Sequence, residues 1–126
     1  GYAYISFDPI WTADTGSHFS HYVPEPWAHL VLTEEQFIRK MREAGADGNQ
    51  VLEFRTAMNR KNLAYFQSLF SQLDPLQTHI VFSDSWRGVV HEEHAMHDNS
   101  RRALELGYSE EELMVRGLRY VFRKAL

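Results

Sequence analysis

Cysteine is absent from this 126-residue chain. That one absence excludes disulfides, thiolate metal sites, iron–sulfur clusters and thiol nucleophiles. A long apolar run is also missing, so no transmembrane helix is predicted and no membrane partner is expected. The opening residues, Gly1-Tyr2-Ala3-Tyr4, do not read as a signal peptide, and the expected setting is a cytoplasmic, reducing compartment. Nor is there a strong charge bias. The chain has 13 Lys and Arg against 17 Asp and Glu, a formal net charge of -4. A chain of this sign as a whole is not built to neutralise phosphates, so a nucleic-acid partner is not expected. A nucleophile elbow, a phosphate-cradling glycine loop and a dinucleotide fingerprint are all lacking.

What is present is the composition of an ordinary folded domain, 44% hydrophobic and 24% charged. The length suits a single domain, residues 1–126, around one core. Residues 2–7 are β-branched and aromatic and predict a strand, which Asp8-Pro9 ends. Residues 8–26 have no helical period and carry Gly16, Pro24 and Pro26, yet they include Trp11, Phe19 and Tyr22. A stretch this long is unusual without structure of its own, and its aromatics argue against disorder. The apolar run at residues 27–32 predicts a second strand.

Thr33-Glu34-Glu35-Gln36 is a capping box that opens a helix ending at Gly45. Asp47 and Gln50 cap a long second helix, expected to run to Leu73 before Asp74-Pro75. Residues 76–83, centred on His79-Ile80-Val81-Phe82, predict a third strand. Asp84 or Ser85 would cap a third helix ending at Gly107. A last capping box, Ser109-x-x-Glu112, would open a final helix to about Lys124. The predicted order is β-loop-β-α-α-β-α-α, an α+β fold with a small sheet of about three strands against about four helices.

The segment His91-Glu92-Glu93-His94-Ala95-Met96-His97-Asp98 is the densest cluster of chemical side chains. Imidazoles are good ligands for a divalent transition metal such as zinc, which makes His91, His94 and His97 the candidate metal ligands. On a helix, adjacent pairs three residues apart could chelate one ion. His91 and His97 would lie about 9 Å apart along the axis, too far for all three.

The apolar stripe of that predicted helix also contains Glu93 and His97, four residues apart. Such a pair could act as an acid–base couple, or be a satisfied buried ion pair. A helix break at Asp98-Asn99-Ser100 would instead rotate everything after it. The second predicted helix repeats the pattern, with Arg55 and Asn62 inside its apolar stripe. If the two helices pack, Arg55, Asn62, Glu93 and His97 converge as a candidate catalytic group.

The aperiodic loop contributes His18 and His21, with Trp11 and Tyr22. These residues are candidates for binding a partner, or for pinning the loop onto the fold. The spacing of Ala103, Gly107 and Leu113 suits a helix-turn-helix, but the would-be recognition helix opens with Glu110-Glu111-Glu112 and would repel phosphate. The expected function is therefore a small acidic module that binds another protein, a basic one by charge. The alternative is a metal- or acid–base-dependent enzyme using the His/Glu cluster, with DNA binding through the last two helices a third reading.

Overall fold

The computed structural model describes all 126 residues. Three strands, β1 (Tyr2–Phe7), β2 (Thr78–Arg87) and β3 (Val115–Lys124), form one antiparallel sheet in the order β1-β3-β2. Between them lie α1 (Ala28–Val31), α2 (Glu34–Glu43), α3 (Gly48–Thr56) and α4 (Leu63–Ser71). A 3-10 turn (Glu92–Met96), α5 (Asp98–Glu105) and α6 (Glu110–Met114) follow β2. The class is α+β, as the sequence predicts.

Side-chain alternation gives β3 two different faces. Leu118, Tyr120 and Phe122 point inward with Ile5 and Phe7 of β1 and meet Leu63, Phe66 and Phe70 of α4. A second cluster joins Phe19 and Val23 of the long loop to Phe37, Ile38 and Met41 of α2 and Val51 and Phe54 of α3. Trp27, Leu30, Ala103 and Leu113 form a third. The loop from Asp8 to Trp27 is therefore a core element without regular structure, with Ile10, Ala13, Phe19, Val23 and Trp27 all buried. Gly16 makes this possible, because a Cβ there would collide with the carbonyl oxygens of Ile10 and Trp11.

Several element boundaries differ from expectation. The run at 27–32 is a single helical turn rather than a strand. Trp27 adopts a left-handed backbone, and its carbonyl accepts from Leu30. A short apolar run has no period long enough to separate the two. The long second helix is two helices, because Asn62 caps a new one by accepting from the amide of Tyr65.

β2 continues through Trp86 to Arg87, where a third helix was predicted to begin. The final helix stops at Met114, and the last ten residues before Ala125 become the central strand. Pairing with two partners on both sides outweighs local helix propensity there.

Candidate functional site

Arg55, Asn62, Glu93 and His97 do not converge. Arg55 is exposed and pairs with Glu35 at 2.8 Å. Asn62 caps α4 and donates from Nδ2 to Glu112 at 3.2 Å. Glu93 is exposed on the 3-10 turn. His97 is half-buried and caps α5, its Nδ1 accepting from the Asn99 amide at 3.0 Å. The continuous helix that would have set Glu93 beside His97 is absent, so their facing positions are lost.

The histidine cluster is dispersed for the same reason. His91 and His94 meet edge to face at 5.2 Å, but His97 turns to the start of α5. No three His, Asp or Glu side chains are gathered in a way that could hold a metal ion.

The aromatic loop is pinned. Trp11 lies edge-on to His29 at 4.6 Å and beneath the Arg60 guanidinium at 5.2 Å. His18 is exposed and bonds through Nε2 to the Pro9 carbonyl at 3.1 Å. His21 is exposed beside half-buried Tyr22, ring centres 4.2 Å apart. His29 is buried and donates from Nε2 to the Trp11 carbonyl at 2.6 Å. Burial pushes its pKa down to about 4, so the ring is neutral at pH 7.

The most heavily partnered side chain is one that the sequence did not single out. The Asp14 carboxylate has no exposed surface. Its Oδ1 accepts from the Thr15 amide at 3.0 Å and Arg116 Nη1 at 3.1 Å. Its Oδ2 accepts from the Val90 amide at 2.7 Å and His94 Nδ1 at 2.6 Å. One carboxylate thus ties together the N-terminal loop, the β2–α5 connection and the start of β3. An aspartate in a Thr/Gly/Ser-rich loop reads as a turn former, and no local pattern marks it as a node. The bond from Nδ1 fixes the His94 ring, as in a general-base pair. However, neither Asp14 nor His94 lines a principal cleft.

The outer face of the sheet is the other distinctive surface. Its strand-to-strand rows are Tyr2, Arg123 and His79, then Tyr4, Val121 and Phe82. Ser6, Arg119 and Asp84 form the third row, and Gly117 and Trp86 the fourth. Tyr2, Tyr4 and Phe82 are 72%, 62% and 47% exposed. Arg119 pairs with Asp84 and lies over the rings of Phe82 and Trp86 at 5.8 and 5.4 Å.

Charge is segregated along with the aromatics. The three strands hold five of the 13 basic residues and one of the 17 acidic ones. Arg116 is paired with Asp8 and Asp14 and Arg119 with Asp84, so among the outer-face rows Arg123 is the cation left unpaired.

No helix is long and apolar enough to cross a membrane. Comparison with protein-family models, with curated proteins and with solved structures finds no match to this chain.

Proposed function

We propose that this chain is a binding module that receives another protein on the outer face of its sheet. The observation that carries this reading is the set of exposed aromatic rings, Tyr2, Tyr4 and Phe82, interleaved with Arg119 and Arg123 on one uncovered face. Tyr, Trp and Arg dominate the energetic centres of protein interfaces, because each offers a large contact area with a polar handle. A solvated sheet face would instead alternate with small polar side chains. The net charge of the whole chain favours a basic partner, but on the outer face Arg119 is paired with Asp84 and Arg123 remains as the unpaired cation, so the local charge at contact favours an acidic one. The partner is therefore an acidic protein with apolar groups among its carboxylates. The loop residues Trp11 and Tyr22 support the fold in this reading, and His18 and His21 lie outside the interface.

The test is affinity capture with the wild-type chain, followed by calorimetry with each captured protein. Tyr4→Ala combined with Phe82→Ala should weaken binding by at least about tenfold, since hot-spot truncations commonly cost that much. Both side chains are exposed, so the circular dichroism spectrum should be unchanged. Affinity that survives the double substitution would remove the sheet face from the interface.

A second reading rests on the 2.6 Å bond between His94 and Asp14. In that reading His94 is an oriented base acting through Nε2, and a His94→Gln variant loses turnover without losing its fold. None of the four main clefts includes His94, which makes binding the better-supported function.

A further inference from the structure

A cleft of about 170 Å³ opens between the N-terminal loop and the turn joining α3 to α4. Phe7, Trp11 and Phe66 line it, with Asp8, His18 and Asn59 as polar members. It is separate from the sheet face invoked above.

The backbone around this cleft is unusual. Three non-glycine residues in the chain adopt left-handed backbone, and two of them, His18 (φ 62°) and Arg60 (φ 53°), line it. That conformation is costly for an L side chain, and it persists where surrounding contacts enforce it, often at ligand sites. Here the enforcing contacts are visible. His18 is held by the Pro9 carbonyl. Arg60 is held by Glu34 at 2.7 Å, by the Phe54 carbonyl at 2.9 Å and by the rings of Trp11 and Phe54. Of these contacts, the Arg60 guanidinium over the Trp11 ring is the one that joins the two sides of the cleft.

The chemistry of the lining selects among ligands. Arg60 is paired with Glu34 and its terminal nitrogens are engaged, which leaves its buried Nε–H as a single unpartnered donor rather than a free cation. Asp8 is paired with Arg116 at 3.3 Å, which lowers its demand for a cation. What remains is aromatic wall, the Asn59 amide nitrogen, Nδ1 of His18 and the acceptor oxygens of Asp8. We propose that this cleft binds a neutral, planar heteroaromatic ring bearing N–H donors, of the size of a nucleobase. The volume falls below the roughly 300–1,000 Å³ of sites that enclose drug-sized molecules, which suits one or two fused rings.

The experiment is a titration of the full chain, labelled with ¹⁵N, by free adenine, cytosine and benzoate, followed through amide and indole shifts. Adenine or cytosine should give saturable shifts at His18, Asn59, Arg60 and the Trp11 indole, with a dissociation constant on the order of millimolar. Ala57→Phe, which fills the cleft from an exposed position, should weaken that binding by at least about tenfold. No saturable shift from either base would overturn the proposal, as would shifts undiminished in Ala57→Phe. Benzoate binding more tightly than both bases would overturn the assignment of a neutral ligand. Shifts confined to Tyr2, Tyr4 and Phe82 would place binding on the sheet instead and count equally against the cleft.

Discussion

Asp14 and His94 are 80 residues apart in sequence, yet His94 Nδ1 donates to Asp14 Oδ2 across 2.6 Å. The same carboxylate holds Arg116, 102 residues away, and the Val90 amide. A fully buried aspartate with two cationic or polar side chains and two amides is satisfied only as a set. Asp14→Ala leaves Arg116 and His94 without their shared acceptor and the Val90 amide without a partner. Removing one member of a buried pair costs about 3–5 kcal/mol. Urea denaturation followed by circular dichroism should show a loss of that order for Asp14→Ala. Asp14→Asn, which keeps one acceptor oxygen, should lose less, about 1.5–3 kcal/mol. A loss below about 1 kcal/mol for Asp14→Ala would mean that the three segments are held by packing alone.

Chain-local features were legible in the sequence, and the long-range ones were not. Both predicted capping boxes exist with their reciprocal bonds, Thr33 with Gln36 and Ser109 with Glu112, and the expected cap at Asp47 forms the same reciprocal pair with Gln50. β1 and the start of β2 fall where β-branched and aromatic runs predict them. β3 lies where the Ser109-x-x-Glu112 box predicts helix to about Lys124, because a cap governs only the first turn and that helix ends at Met114. The competing alternation of Leu118, Tyr120 and Phe122 has meaning only beside its partner strands, β1 more than a hundred residues earlier and β2 more than thirty. Losing that strand also misplaced Trp86, which the sequence put on a helix and the structure sets against Gly117. The histidine cluster was visible as composition, but its geometry depended on a helix that gives way to a 3-10 turn and a cap at His97. Asp14 was invisible because none of its side-chain or amide partners beyond Thr15 lies within 70 residues.

His29 should make stability depend on pH. Burial lowers its folded-state pKa from 6.5 to about 4. Between those values the unfolded chain binds a proton that the folded chain refuses, so stability falls as pH drops from about 6.5 towards 4. At pH 7 both states are neutral at this group and no penalty exists. Below pH 4 the folded ring is protonated as well, and this group adds no further slope. The integrated loss is about 3 kcal/mol, from the equivalence of one pKa unit to about 1.4 kcal/mol. His29→Gln keeps a donor for the Trp11 carbonyl but does not titrate. Its stability between pH 6.5 and 5, measured by urea denaturation, should be flatter than wild type by up to one proton. Equal slopes in the two proteins would show that His29 is reached by water in the folded state.

Gly16 tests whether the long loop is a true core element. A methyl group there meets the carbonyl oxygens of Ile10 and Trp11, which are backbone and cannot rotate away. Gly16→Ala should therefore cost more than about 2 kcal/mol, beyond the usual range for a surface loop. The adjacent cleft should be disturbed too, because Ile10, Trp11 and Gly16 all line it. Thermal unfolding of Gly16→Ala beside Gly48→Ala makes the comparison clear, since a Cβ at Gly48 meets nothing within 4 Å. Gly48 lies in the first turn of α3, where alanine is the better helix former, so that control should be neutral or slightly stabilising. Similar losses at both positions would show that the loop can relax around an added methyl group.

Gly117 makes the corresponding test on the outer face, with a side chain instead of backbone as the obstacle. Its missing Cβ is the space occupied by the six-membered ring of Trp86. Gly117→Ala must push that ring off the sheet. Arg119, now over Trp86 at 5.4 Å, then loses a cation–π contact worth about 0.5–1 kcal/mol at an exposed site. The inner face is untouched, because Leu118 and Phe122 point the other way and stay in the core. The global cost should thus remain near 1–2 kcal/mol, the ordinary range for a single substitution. Trp86 emission should shift to longer wavelength as its ring enters water, with Trp86→Phe supplying the background from Trp11 and Trp27. If the outer face is the docking surface, the same substitution weakens partner binding while the core signals of the folded protein persist. An unshifted emission would mean that the ring has room to slide within the plane of the sheet, and the aromatic surface would then be adaptable rather than fixed.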